Sequence, residues 1–205
     1  MTLKNHILIY VAILSISILS GCDSDDPQKE DVPELITKAT LTFTPTTGSP
    51  IVVTATDPDG EGVQSISTDG PITLAKSTTY VLTISMINGL AQPTDEEYDI
   101  TKEVEEEGDE HMLFFGWTGN AFSNPSGDGN IDARANALNY AGAENSKDTN
   151  GLPLGLTTTW TTADVGSSGA GFRVLLKHQP ALKTLASTSN DGETDLDVTF
   201  QLSVQ

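Results

Sequence analysis

Apolar and polar residues alternate over most of the chain from residue 37 onward, and β-branched residues are frequent among them. The pattern is clearest at the end of the sequence, where every second residue from Leu196 to Val204 is apolar. Because successive side chains of a strand point to opposite faces, a period of two predicts strands with one buried and one solvated face. The strands predicted in this way are residues 40–44, 51–56, 62–74, 79–86, 111–115, 138–141, 156–162, 171–178 and 194–204.

Short segments rich in Gly, Pro, Asn and Asp separate the predicted strands, among them Asn88-Gly89 and Asp191-Gly192. These residue types favour turns, because glycine accepts positive φ, proline fixes φ, and Asn and Asp bond to the nearby backbone. Seven to nine short strands separated in this way predict an all-β fold, an antiparallel immunoglobulin-like β-sandwich. The irregular segment 116–155 is either a functional loop or a wandering connection that holds one strand.

One short acidic helix is predicted near the middle of the chain. Thr94 and Glu97 have the spacing of a capping box, and Gly108 offers a C-terminal stop. The acidic residues at 103 and 105–107 have the wrong charge for a helix C-terminus, so we expect only a turn or two of helix.

An apolar run of thirteen residues, 7–19, is interrupted only by two serines and follows a short polar start that contains Lys4. It is shorter than the roughly 20 residues of a spanning helix, and its layout is typical of a secretory signal. The motif Leu19-Ser20-Gly21-Cys22 ends the run and resembles the lipobox of bacterial lipoproteins. On this interpretation residues 1–21 are removed as a signal peptide, and lipidated Cys22 anchors the chain to a membrane without spanning it. The alternative is a stray cysteine after an ordinary cleavable signal.

Residues 22–36 are predicted to form a flexible acidic tether, and residues 37–205 the sandwich domain. Within the tether, residues 23–34 hold six acidic residues, two prolines and one aliphatic side chain, too little apolar surface to offset the entropy of ordering. An acidic run directly after a lipidated cysteine also resembles the surface-export signal of lipoproteins from Bacteroidota. This predicts an outer-membrane protein exposed at the cell surface, and the alternative is a spacer that faces the periplasm.

The net charge of the chain is −19, from 29 acidic and 10 basic residues. Such a surface disfavours nucleic acid and anionic lipid headgroups as partners, and it attracts cations. The single cysteine excludes an internal disulfide, so packing, with or without a bound metal, must hold the domain together.

Two histidines remain after the predicted signal peptide, His111 and His178, and each lies at the edge of a predicted strand. Imidazole is the commonest ligand for zinc, copper and iron, and a carboxylate from Glu110 or Asp109 would extend such a site. Met112 is a weaker candidate ligand, since in a strand it faces away from His111. If the two histidines share an ion, we expect their Cβ atoms within about 8 Å of each other. The alternative is two unrelated edge histidines.

Calcium is the second candidate ion. Asp128, Asn130 and Asp132 match the first positions of a calcium-binding loop. Ala133 and Asn139 replace the glycine and the bidentate glutamate that the loop pattern requires, so the match is incomplete.

Three further features are open to interpretation. The turn 57–61 offers carboxylate oxygens to a cation. Alternation places Asp195 and Asp197 on the solvent face of the last strand, where they would deter pairing with another sheet edge. Trp117 and Phe122 either pack in the core or lie exposed for ligand stacking or receptor docking.

Together with the lipobox and the acidic tether, the segments Gly108-Asp109-Glu110-His111, 151–160 and 173–180 make this chain resemble a group of Bacteroidota surface and outer-membrane lipoproteins. Some members are associated with TonB-dependent outer-membrane receptors, which the resemblance therefore implies as partners. The motifs of the group carry no established chemistry.

These observations lead us to expect a lipid-anchored cell-envelope protein that captures a small ligand or a metal ion for an outer-membrane transporter. The alternative is a structural or adhesive surface lipoprotein that binds calcium or no ligand. Because the sequence contains no nucleophile elbow, zinc-protease motif, phosphate loop or dinucleotide pattern, we do not expect an enzyme.

Overall fold

The computed structural model describes residues 34–60, 65–133, 137–140 and 145–205, which belong to one compact unit. The predicted signal peptide, Cys22 and the tether up to residue 33 lie outside the described residues, as do the beginning of the predicted strand 62–74 and the end of the predicted strand 138–141. Within the described part of the chain, we find no helix with the length and apolar character needed to cross a membrane.

Within the described residues, the regular structure consists of eleven strands and two short helices. The strands are β1 (Lys38–Pro45), β2 (Ile51–Thr56), β3 (Ser67–Thr68), β4 (Ile72–Leu74), β5 (Thr79–Ile87), β6 (His111–Trp117), β7 (Phe122–Asn124), β8 (Asn145–Lys147), β9 (Pro153–Thr162), β10 (Ser167–His178) and β11 (Glu193–Val204). The helices are α1 (Ile100–Glu106) and α2 (Ala137–Tyr140), and a 3₁₀ turn, Glu96–Tyr98, precedes α1.

The strands form two sheets. The first has seven strands in the order β3-β2-β1-β5-β9-β7, with β8 also paired to β9, and the second has the order β4-β11-β10-β6. All pairs are antiparallel except β4 with β11. The predicted antiparallel β-sandwich is thus confirmed. The strand number exceeds the expected seven to nine because strands of two or three residues, such as β3 and β7, are too short to show alternation.

Inward-facing residues of both sheets form a shared core with Trp160 near its centre. The Trp160 ring lies 4.7 Å from Phe122, 5.0 Å from Phe172 and 5.3 Å from Trp117, measured between ring centroids. Its indole nitrogen donates a hydrogen bond of 2.7 Å to Thr158 Oγ1, so no polar atom of the ring is buried without a partner. Trp117 and Phe122 are both buried, which supports core packing over exposed stacking.

Two local predictions differ from the structure. The acidic helix exists, but Asp99 caps it by accepting a hydrogen bond from the backbone N–H of Lys102, whereas Thr94 lies before the 3₁₀ turn. Residues 137–140 form a single turn of helix, so the predicted strand at 138–141 is wrong. Leu138 and Asn139 are buried on one side of this helical turn. In a stretch this short, the apolar pattern of a helix, with period 3.6, cannot be told from that of a strand, with period two.

The irregular segment after β6 covers the free edge of that strand. The backbone N–H of Trp117 donates to Gly129 O at 3.0 Å, and that of Phe115 donates to Asn139 Oδ1 at 3.0 Å. Asn139 Nδ2 donates in turn to Phe115 O at 2.9 Å, so one side-chain amide pairs with the strand as a backbone would. Gly129 has φ +79°, and a Cβ there would lie 2.0 Å from Trp117 O, so the close approach requires glycine.

We predict that Asn139→Ala lowers the free energy of unfolding by about 2–4 kcal/mol, because it leaves two buried backbone groups of Phe115 without partners. Urea denaturation followed by circular dichroism measures the change. Asn190→Ala is the matched control, because residue 190 is exposed, and its effect should stay within about 0.5 kcal/mol. Equal stability of the Asn139→Ala variant and the parent would contradict this account of the cover.

Candidate metal centre

The pairing of β6 with β10 places the two histidines opposite each other. Seven consecutive residue pairs run from Phe172 with Trp117 to His178 with His111. The imidazole rings are stacked, with centroids 4.6 Å apart and planes 9° from parallel. His111 is fully buried and His178 is 6% exposed. The two histidines therefore lie side by side, and a metal ion shared between them stays a prediction.

The two faces of β6 have separate environments. Leu113, Phe115 and Trp117 belong to the core between the sheets, whereas Met112 packs with Phe114 in a second apolar cluster. Because side chains alternate along a strand, His111 lies on the core side and Met112 faces away from it, as predicted. Met112 is thus excluded as a ligand to an ion held by His111.

A backbone carbonyl fixes the orientation of the His111 ring. Nδ1 lies 3.2 Å from Glu107 O, and a carbonyl only accepts, so Nδ1 carries the hydrogen in this contact. The other nitrogen, Nε2, faces carboxylates: it lies 3.8 Å from Asp195 Oδ2 and 4.0 Å from Glu34 Oε1. Metal-binding histidines typically donate their second ring N–H to a carbonyl or carboxylate, and this geometry prepares His111 in the same manner.

Glu107 joins the histidines from the end of α1. The backbone N–H of Glu107 donates to Glu103 O at 2.9 Å, and the helix ends there. The chain then turns into β6, which begins four residues later at His111. Glu107, His111 and His178 each offer one ligand atom within 4.8 Å of the others. Among the described residues, one further group of this kind occurs, formed by Glu34, Glu103 and Glu107. We refer to Glu34, Glu107, His111, His178 and Asp195 as the histidine–carboxylate cluster.

Glu34 belongs to the folded domain, although the predicted tether extends to residue 36. Its side chain is only 9% exposed, and its backbone N–H donates to Asp195 Oδ1 at 3.2 Å. Ile36 lies in the hydrophobic core. Packing of the chain therefore begins at least three residues before the predicted boundary.

A β-bulge turns Asp195 inward. Leu176 pairs with Leu196, but the next residue of β10, Lys177, pairs with Thr194, so Asp195 is the extra residue of β11. Its side chain is completely buried, which corrects the expectation that it lies on the solvent face. Asp197 beyond the bulge remains at the surface, where its carboxylate accepts two hydrogen bonds of 2.7 Å from Arg173.

The carboxyl group of Asp195 has an unusually high pKa because it is buried. Removal from water raises the pKa of its carboxyl to about 7, and the neighbouring negative charge of Glu34 acts in the same direction. The hydrogen bond from the Glu34 backbone and the proximity of His178 oppose this rise in pKa without cancelling it. The end of the sandwich thus holds a carboxyl group whose protonation changes near physiological pH.

The remaining candidate ligands, Glu110 and Asp109, belong to neither group of converging ligand atoms. Glu110 Oε2 is 3.5 Å from His178 Nε2 at a half-exposed position, so Glu110 can approach the site from the solvent side. Asp109 is exposed and belongs to neither group of ligand atoms. The charge of Asp109 acts on Lys183, a buried lysine that donates to Asp148 Oδ2 at 2.8 Å.

The predicted calcium residues form local turns. Asp128 Oδ1 accepts from the Asn130 backbone N–H, and Asn130 Oδ1 accepts from the Asp132 backbone N–H. Asp132 Oδ1 accepts from Ser189 Oγ at 2.7 Å. Within the described residues, neither group of converging ligand atoms includes Asp128 or Asp132. Calcium at this loop stays a prediction.

Comparison of the chain with models of protein families, with curated proteins and with solved structures gives no match. The sequence analysis did not identify three members of the cluster as site residues: Glu34, Glu107 and Asp195. The spacing of Glu107 from His111 fits a helix end followed by a tight turn into a strand, but the sequence offers no comparable signal for the other two.

We predict that Asp195 makes the metal-free protein less stable as the pH rises from about 4 towards about 7. Between the ordinary pKa of 3.8 and the raised value of about 7, the unfolded chain has released a proton that the folded chain retains, so rising pH favours unfolding. Below this pH window Asp195 is protonated in both the folded and the unfolded protein, so its contribution to the free energy of unfolding is fully present. Asp195→Asn should remove this part of the pH dependence while its amide oxygen keeps the hydrogen bond from Glu34.

The measurement is chemical denaturation of chelator-treated protein at about pH 5 and about pH 8. Relative to the parent, Asp195→Asn should gain stability at the higher pH. Asp164→Asn, which changes an exposed residue, should follow the parent at both values. The same pH slope in Asp195→Asn and the parent would disprove the assignment.

Proposed function

We propose that this protein is a lipid-anchored binding protein of the bacterial cell envelope that captures a transition-metal ion through Glu107, His111 and His178. The observation that carries the proposal is the contact between the two histidines, which the sandwich brings together from separate strands beside the Glu107 carboxylate. Two imidazoles and one carboxylate are ligands that zinc, copper and iron accept, and three protein ligands leave a coordination position open. An open position suits transfer of the ion to a partner.

Ion binding requires a small rearrangement of the rings. An imidazole binds a metal in the plane of its ring, and planes only 9° from parallel do not meet at one ion. Two nitrogens bound tetrahedrally to one zinc lie about 3.4 Å apart, given metal–nitrogen bonds of 2.0–2.1 Å. His111 is held by Glu107 O, whereas His178 lies nearer the surface, so rotation of His178 out of the stack would complete the site.

The surroundings of the site favour a cation. Glu34, Glu110 and Asp195 surround the two rings, and the whole chain carries a net charge of −19. Negative charge raises the local concentration of cations and stabilises them once bound. Affinity should rise as the pH passes the raised pKa of Asp195, about 7, because the ionised Asp195 carboxylate then adds negative charge beside the ion.

The cellular part of the proposal comes from the N-terminal sequence. Lipidation at Cys22 would anchor the protein, and the acidic tether together with the resemblance to Bacteroidota lipoproteins favours the outer surface of the outer membrane. A TonB-dependent receptor is the partner that this resemblance suggests for uptake of the ion. We propose binding rather than catalysis, because the chain lacks the common nucleophile and cofactor motifs.

We predict that the full chain, purified in mild detergent, stripped with chelator and re-equilibrated with zinc, copper or iron, retains close to one ion after desalting. Elemental mass spectrometry measures the ion content. The His111→Ala/His178→Ala double variant should lose the ion, and Glu107→Gln should weaken its binding by about 10–100-fold.

Glu106→Gln is the control for the helix end, because Glu106 is exposed and pairs with Lys102 on the surface. It should retain the ion as the parent does. Circular dichroism of each variant separates loss of a ligand from loss of the fold. Absence of retained transition metal in the parent, or full retention in folded Glu107→Gln and the double variant, would refute metal capture and favour an organic ligand or a structural role.

We also predict that Cys22→Ser moves the protein from the membrane fraction to the soluble extract, because serine cannot carry the thioether-linked lipid. Fractionation of cells that express the full chain, followed by immunoblotting, tests this. Asp164→Asn, a change at an exposed residue outside the lipobox, is the control and should remain in the membrane fraction. Membrane retention of Cys22→Ser would contradict anchoring through this cysteine.

A further inference from the structure

A small cavity lies beside the histidine–carboxylate cluster, between the turn after β2 and the bulge of β11. Its volume is about 130 Å³, and four carboxylate-bearing residues line it: Glu34, Asp57, Asp195 and Asp197. A volume of this size accommodates an ion and a few water molecules, since each water occupies about 30 Å³. The cavity is thus acidic, and it is lined by residues of both sheets, Asp57 after β2 and Asp195 and Asp197 of β11.

Two carboxylate oxygens in the wall of this cavity are buried and accept no hydrogen bond. They are Asp57 Oδ1 and Asp195 Oδ2. Buried polar atoms in folded proteins almost always have a partner, so each exception calls for one. The Asp195 side chain is completely buried, and among the described residues no lysine or arginine forms an ion pair with either carboxylate. The charge of Lys177 acts on Asp195, but its Nζ donates to Thr194 Oγ1 at 2.9 Å.

The backbone holds Asp57 at this position. Its N–H donates to Thr37 O at 2.8 Å, which extends the β1–β2 pairing by one step into the turn. Burial and the adjacent carboxyl of Asp59 raise the pKa of Asp57, so the turn keeps two carboxyl groups together at a cost in free energy. Like charges held together in this way are relieved when a cation binds between them.

We propose that this cavity is a second cation site, lined by oxygen and suited to calcium, in which Asp57 and Asp195 are ligands. Calcium prefers carboxylate and carbonyl oxygens together with water, whereas the histidine pair favours transition metals. The site goes beyond the transition-metal function, because Asp57 and Asp195 are not among the three ligands proposed for the transition metal, and its donor atoms are oxygens only. An ion here would connect the first sheet, through Asp57, to the second sheet, through Asp195.

The test is titration of calcium chloride into the chelator-treated full chain in detergent, followed by isothermal titration calorimetry and thermal unfolding. We expect saturable binding with a dissociation constant of about 10⁻⁵ to 10⁻³ M and an increase in melting temperature. Asp57→Asn should weaken calcium binding by about 10–100-fold, the range seen when a metal site loses a supporting group. Without calcium this variant should be at least as stable as the parent, because repulsion with Asp59 is removed.

Two controls separate this site from the histidine pair. Asp164→Asn removes one exposed negative charge elsewhere and should bind calcium as the parent does. His178→Ala should retain calcium while losing transition metal. The proposal is overturned if the parent binds no calcium at millimolar concentration, if Asp57→Asn binds it unchanged, or if His178→Ala loses calcium together with transition metal.

Discussion

The register between β6 and β10 is the constraint on which both the core and the candidate site depend. At one end of the pairing it sets Trp117 opposite Phe172, and at the other end it sets His111 opposite His178. A shift by one residue would move every side chain of β6 to the other face, so Met112 would replace His111 at the site and the aromatic core would be lost. The apolar core therefore enforces the position of the histidines, and the site needs no separate scaffold.

Polar groups accumulate where the apolar core ends. Trp160 and its aromatic neighbours fill the middle of the sandwich, whereas buried imidazoles and carboxylates occupy the end of β6 and β10. Removing such groups from water costs free energy that hydrogen bonds and neighbouring charges only partly return. A fold selected for stability alone would fill this region with aliphatic side chains. The polar content at this end is one of the reasons why we propose that these groups bind a ligand.

The sequence allows most of the strands to be predicted, because half-buried strands impose a period of two that survives local exceptions. The same rule accounts for the contrast between His111 and Met112. It fails at Asp195, where a bulge inserts one residue and reverses the direction of the carboxylate. It also fails at residues 137–140, where one helical turn and a short strand have the same apolar pattern.

Long-range contacts explain other features of the structure that the sequence did not predict. Glu34 lies in a polar segment whose composition is that of a tether, yet its backbone N–H donates to Asp195, 161 residues away, and this contact holds it in the domain. The buried pair Lys183 and Asp148 likewise joins segments that no local pattern connects. The composition of a segment predicts its own tendency to order, but it does not predict which residues elsewhere in the fold will contact it.

The cover over β6 has a consequence for how copies of the protein meet. An uncovered edge strand exposes a row of N–H and C=O groups that can pair with the same edge of another molecule. Gly129 and Asn139 occupy those groups on Phe115 and Trp117 from within the chain. For a protein held on a membrane by a lipid, as we propose, neighbours are confined to two dimensions and collide repeatedly in similar orientations. The turn of α2 at Asn139 and the loop at Gly129 thus leave fewer free backbone groups on this edge for pairing with a neighbouring molecule.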